Sequence, residues 1–135
     1  MQPRYILDTN TVSYVLKGNF PEVHAHLARV PMAEVAVSVV TEAELRFGLA
    51  RRPHAKQLAI AVEGFLLRAT ILPWDSTVAK AYAHLHSDLE RAGTPLGNLD
   101  MMIAAHALAV NAVLVTHDRA LQRIKRLKTE DWTTA

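Results

Sequence analysis

Four short apolar runs set the frame for this chain: "YIL" at 5–7, "VAVSVV" at 35–40, "TIL" at 70–72 and "AVLVT" at 112–116. Each is rich in residues that fit a pleated strand, and each is followed by a longer segment with helical spacing. After the first come "TVSYVLKG" and "PEVHAHLARV", the latter opened by Pro21, a good first-turn residue. "TEAELRFGLARR" and "PHAKQLAIAVEGFLLRA" follow the second, and "STVAKAYAHLHSDLERAG", closed by Gly93, follows the third. Strand alternating with helix predicts strands joined by helical crossovers, and hence a parallel sheet covered on both faces. The expected fold is α/β: a three-layer α/β/α sandwich around a central, mainly parallel sheet of four to five strands. The fifth strand would lie near Lys128–Glu130.

With 135 residues, half of them apolar, the chain is long enough for one proper core. It shows no repeats, no low-complexity segment and no linker; "GTPLGN" at 93–98 is the one clear loop. Residues 1–135 therefore read as a single domain. No apolar run approaches the roughly 20 residues that span a bilayer. The opening "MQPRY" has none of the features of a secretory signal, so a cytoplasmic location is expected. Cysteine is absent, which excludes disulfides and thiolate-bound metals; any metal must be held by oxygen or histidine. The net charge is only +2, but Arg119, Arg123, Lys125, Arg126 and Lys128 form a basic stretch near the end. Such a stretch is a solvated face unless acidic chemistry lies beside it, because polyphosphate substrates need both.

Ligands of an open parallel sheet bind outside the carboxyl ends of its strands. Of thirteen acidic residues, those set into apolar sequence fall at such ends. Asp8 ends the first strand, Glu42 and Glu44 lie in the first turn after the second, Asp100 lies in the first turn of "NLDMMIAAHALAV", and Asp118 follows the fourth strand. Each has a purely structural reading. Asp8 and Asp118 suit helix N-caps, Thr41 with Glu44 spells a capping box, and Asp100 complements a helix dipole. Taken together, carboxylates gathered at one edge repel one another unless a cation neutralises them. A hard ion such as Mg²⁺ or Mn²⁺ prefers oxygen ligands and keeps some of its waters. It also lowers the pKa of bound water and stabilises charge on a phosphoryl oxygen, which suits phosphodiester hydrolysis.

Four ordered motifs carry a family resemblance. "LDTN" at 7–10, "SVVTEAELRFG" at 38–48, "GTPLGNLDMMIAAHAL" at 93–108 and "LVTHDRAL" at 114–121 resemble those of the PIN-domain ribonucleases, in particular the VapC-type toxins of bacterial toxin–antitoxin pairs. The ending "LKTEDW" is similar to the closing strand of that group, so the resemblance runs from about Tyr5 to Trp132. It implies an acidic site of Asp8, Glu44, Asp100 and Asp118, serving as catalytic residues and as ligands of Mg²⁺ or Mn²⁺, with Asn10 and Thr116 as polar supports. Glu42 lies about 200° around a helix from Glu44, so the two cannot face one ion, and Glu44 fits the motif. The implied activity is metal-dependent endonucleolytic cleavage of RNA, leaving a 5′-phosphate and a 3′-hydroxyl. Arg46, Arg119 and Arg123 would contact substrate phosphates. The resemblance further implies a tRNA or ribosomal RNA loop as substrate, a homodimer, and a cognate VapB-type antitoxin.

Other readings of the residues are weaker. An aspartyl-phosphate phosphatase wants a second aspartate where Asn10 stands, and a receiver domain wants an acidic neighbour that Asp8 lacks. A non-catalytic PIN-like module that binds RNA or protein is the alternative, although such modules commonly lose acidic positions that this chain keeps. His24–His26 and His84–His86 are two apart on helices and point to different faces. His106 reads as packed against the sheet. His117, beside Asp118, suits either substrate contact or an exposed turn.

Overall fold

The computed structural model describes residues 3–134. In chain order they form β1 (Tyr5–Leu7), α1 (Thr9–Lys17), α2 (Pro21–Ala28), a 3₁₀ turn (Met32–Glu34), β2 (Val35–Ser38), α3 (Val39–Ala50) and α4 (Lys56–Arg68). Then come β3 (Thr70–Leu72), α5 (Ser76–Ala92), α6 (Asn98–Val110), β4 (Val113–Val115), α7 (Arg119–Gln122) and β5 (Thr129–Glu130). The strands form one sheet of order β3-β2-β1-β4-β5, and every neighbouring pair is parallel. The chain winds outward from β1 through β2 to β3, then crosses back to place β4 on the other side of β1. Winding reverses between β1 and β4, and such a switch point leaves a crevice at the carboxyl ends of the two strands.

Side-chain alternation in β1 fixes which layer lies where. Tyr5 and Leu7 enter one core with Val35, Val37 and Val115, covered by Val12 of α1, Val23 of α2, and Val62 and Phe65 of α4. Ile6 enters the other with Ala36 and Leu114, covered by Leu85 of α5, Ile103 and Ala107 of α6, and Leu121. Ile6 and Leu7 are fully buried, as expected of a central parallel strand. That makes β1 a rigid mount; cutting Leu7 back to alanine would cost about 2–5 kcal/mol. Trp132 closes the first core, in a T-shaped contact with Tyr5 and stacked face to face on His26.

The second strand differs from its sequence reading. "VAVSVV" does not run as strand to Val40: β2 stops at Ser38 and α3 begins at Val39. The β-branched Val39 and Val40 make the run look extended, but the Ser38 hydroxyl accepts the Val40 N–H at 3.1 Å and caps the helix. Thr41 is therefore inside the first turn, and Thr41 with Glu44 is not a capping box. Among the described residues, no helix is long and apolar enough to cross a membrane.

Candidate active site

Asp8 and Asp118 are built alike, one on each side of the switch point. The Asp8 N–H donates to the Val115 carbonyl at 3.1 Å, tying the end of β1 to the end of β4. The Asp8 Oδ1 accepts the Thr11 N–H at 2.8 Å and caps α1, while the Thr11 hydroxyl donates to the Val115 carbonyl at 3.1 Å. On the other side, Asp118 Oδ1 accepts the Ala120 N–H at 2.8 Å and caps α7. Its own N–H donates to the buried Thr116 hydroxyl at 3.0 Å. The capping role is real in both cases, yet each cap occupies one carboxylate oxygen and leaves Oδ2 outside that bond.

Asp100 lies in the first turn of α6, and Glu44 lies on α3. The Glu44 Oε1 accepts a 2.5 Å hydrogen bond from the Thr9 hydroxyl, which also lies 3.1 Å from Thr41 Oγ1. All four carboxylates share one electrostatic field. Burial raises the pKa of Asp100, and the charges of Asp118, Glu44 and Asp8 raise it further. Asp8 is only 6% exposed. Its burial raises its pKa too, outweighing hydrogen bonds from Thr116 and Thr11, with the Asp118 charge adding to the rise. These groups lose solvation and face like charge, the condition a cation relieves.

The remaining residues singled out from sequence divide. Thr116 sits at the base of the site as described, and Asn10 lines a crevice with Tyr14, His117 and Asp118. Arg119 and Arg123 are exposed on and just after α7. Arg46 is held elsewhere: its Nε donates to Glu42 at 2.9 Å and its Nη1 lies 3.0 Å from Glu63. Thr9 was not among the sequence candidates, although "LDTN" contains it; its partner Glu44 is 35 residues away.

Carboxylate oxygens are the donors that a hard divalent cation prefers. Among the described residues, no three Asp, Glu or His side chains close into a ready cage. The carboxylates stand apart, near enough to repel. An ion of the Mg²⁺ type needs only one or two carboxylates and keeps several of its waters, so it is the donor chemistry of the site that suits it.

Residues 5–127 match the model described as PIN domain, and the chain belongs to that family. Ribonuclease VapC1 of Haemophilus influenzae (strain R2866) is 36% identical over 132 residues, covering 96% of this chain and 98% of the relative. The tRNA(fMet)-specific endonuclease VapC of Salmonella typhimurium (strain LT2) is 33% identical over 130 residues, with the same coverage. Among solved structures, DNA-bound VapBC from Salmonella typhimurium matches with a TM-score of 0.89 at 30% identity, over 96% of this chain and 98% of that one. VapBC2 from Rickettsia felis, bound to a promoter DNA fragment, matches with a TM-score of 0.86 at 30% identity and the same coverage.

Proposed function

We propose that this protein is a VapC-type endoribonuclease, the toxin of a toxin–antitoxin pair, and that it cleaves RNA phosphodiesters with the help of Mg²⁺ or Mn²⁺. The observation that carries this reading is the meeting of Asp8, Glu44, Asp100 and Asp118 at the switch point, where burial and mutual repulsion raise Asp8 and Asp100. The ribonuclease names of relatives that span nearly the whole chain support the same activity. When bound, a divalent ion supplies a polarised water and neutralises charge on the phosphoryl group. Asp8 and Asp100 would hold it, with Glu44 and Asp118 acting directly or through water. Thr9 fixes the Glu44 carboxylate, and Thr116 with Thr11 fixes Asp8. Arg119 and Arg123, both exposed, would meet backbone phosphates. Arg46, paired with two glutamates, is the poorest phosphate ligand of the three.

A tRNA is the preferred substrate class, as the name of the Salmonella relative suggests, and the place of action is the cytoplasm. The partner is a VapB-type antitoxin, in keeping with the VapBC complexes among the structural neighbours. An antitoxin arginine entering the acidic crevice would mimic the cation's charge. Exposed Ile60 and Leu67 on α4 supply apolar surface for a homodimer or for that partner. The test is to purify the protein free of any partner and incubate it with total tRNA and rRNA in Mg²⁺ or Mn²⁺, with an EDTA control. Discrete cleavage that needs the metal supports the reading; intact RNA under every condition contradicts it.

A further inference from the structure

We propose that the groove between α1 and α3 carries the RNA strand away from the acidic site, and that Lys17 and Arg52 bind its backbone phosphates on one side of the bond being cut. The inference rests on the ribonuclease reading above and adds a path for the strand, which the four carboxylates do not provide.

Helices α1 and α3 each leave the carboxyl end of a strand, and each lays a row of residues four apart along a shared groove of about 190 Å³. On α1 the row is Thr9, Ser13 and Lys17; on α3 and just past its end it is Glu44, Gly48 and Arg52. The groove starts at the acidic site. Thr9 follows Asp8 and donates its hydroxyl proton to Glu44, and the Glu44 charge acts on Asp100. Eight residues of helical rise, about 12 Å, separate this acidic end from the basic one. Gly48 keeps the middle open, since a Cβ built there would meet nothing within 4 Å. Leu45 and Val62, both buried, form an apolar floor.

Cations near a helix C-terminus have a structural use, because they complement the dipole. That use covers Lys17, in the last turn of α1, and Arg51, at the end of α3. It does not explain Arg52, or why all three line one groove. All three are exposed, and among the described residues no carboxylate lies within ion-pair distance of any of them. Arg51 rests over the Phe47 ring, 5.4 Å from its centroid, so Lys17 and Arg52 are the two left without a partner. A lone anion would gain from these two and be opposed by Glu44. A phosphodiester strand suits both ends: one phosphate lies at the carboxylates with their cation, and the next ones along the strand meet Lys17 and Arg52. Arg119 and Arg123 belong to the β4 side of the switch point, so the strand meets cations on each side of the carboxylates. Contacts made this far from the reacting bond hold substrate and transition state alike, and therefore act on KM.

The test uses the full-length protein. The bond it cuts in total tRNA or rRNA is mapped, and a synthetic RNA hairpin spanning that bond is made with a single uncharged methylphosphonate at each flanking position in turn. In wild type, at least one such replacement away from the cut bond should lower kcat/KM about fivefold, the upper range for an exposed charge pair. In Lys17→Ala or Arg52→Ala that same replacement should cost nothing, because its partner is already gone. Misfolding would slow every hairpin alike and leave the ratio intact. Gly48→Met fills the groove with a side chain that a helix favours over glycine, so it should raise KM severalfold without lowering the melting temperature. Phosphate penalties that are the same in wild type and both alanine variants overturn the inference and leave the ribonuclease reading standing. So does an unchanged KM in Gly48→Met, which would leave the groove to a protein segment. Absence of any RNA cleavage by wild type overturns that reading, and the inference with it.

Discussion

Thr9 Oγ1 donates a 2.5 Å hydrogen bond to Glu44 Oε1, joining the first turn of α1 to α3 across the top of the sheet. Through that bond the residue next to Asp8 fixes a second carboxylate of the cluster. Thr9→Val keeps shape and removes the donor. It should lower the kcat of RNA cleavage about tenfold, with little change in melting temperature because the site is partly exposed to water. Thr9→Ser should restore most of the rate. Equal rates for Val and wild type would show that Glu44 needs no support.

The acidic cluster should cost the fold stability. Asp8 is raised above the ordinary carboxylate value of 3.8, chiefly by burial. The folded state therefore binds its proton more tightly than the unfolded state does. Its contribution to stability is complete below 3.8 and is lost as pH rises through the higher folded value. Asp100 follows the same sign. At neutral pH, Asp8→Asn keeps the cap on Thr11 and removes a buried charge, so it should raise stability by about 1 kcal/mol, a few degrees in melting temperature. Millimolar Mn²⁺ should raise the melting temperature of wild type and raise that of Asp8→Asn less. Differential scanning calorimetry with and without EDTA separates the two effects.

His106 couples two helices that carry site carboxylates. Its Nδ1 lies 2.7 Å from Ser38 Oγ, the cap of α3, and it stands on α6 with Asp100. Burial pushes the ring below its usual 6.5, against the opposing pull of Asp75 and the Pro73 carbonyl. A histidine with a depressed folded pKa contributes stability above the unfolded value and loses it as pH falls through 6.5 toward the folded one. Urea unfolding at pH 7.5 and pH 5.5 should therefore show a fall in stability that His106→Gln reduces. A fall of the same size in the variant would assign it to other groups.

Arginine roles should separate by salt. Arg119→Ala and Arg123→Ala should each weaken RNA binding and flatten the dependence of log K on log salt by roughly one phosphate contact. Arg46→Ala should do neither, because Glu42 and Glu63 already hold that guanidinium. Filter binding of a tRNA to the Asp8→Asn protein across a salt series measures all three without cleavage.

What could be read from sequence followed from local rules. The four principal strands and their order of helices were visible because β-branched runs and 3.6-residue spacing are local patterns. Even the two-residue β5 was foreshadowed near Glu130, though it is too short to carry a period of its own. Asp8, Asp100 and Asp118 stand out because each interrupts apolar sequence at a strand end or in a helical first turn; Glu44 lies one turn further into α3, because that helix starts at Val39. The boundary of β2 is not legible in the sequence, because Val39 and Val40 favour strand locally while the Ser38 cap starts the helix. Glu42 and Arg46 are four apart on one helix, a readable spacing, but Glu63 arrives from α4 and completes the pair only in three dimensions. The Thr9–Glu44, Ser38–His106 and His117–Asp131 contacts link residues 14 to 68 positions apart, so no periodicity could announce them.

On the proposed function, the four carboxylates work as one cation-dependent hydrolytic cluster. Its most direct measurement is the initial rate of tRNA cleavage against Mn²⁺ concentration, for wild type and Asp8→Asn side by side. Wild type should show a saturable rise and no cleavage in EDTA, and Asp8→Asn a loss on the order of 100-fold at any Mn²⁺ concentration. Cleavage by wild type that persists in EDTA, or an Asp8→Asn protein that cuts at the wild-type rate, would contradict it.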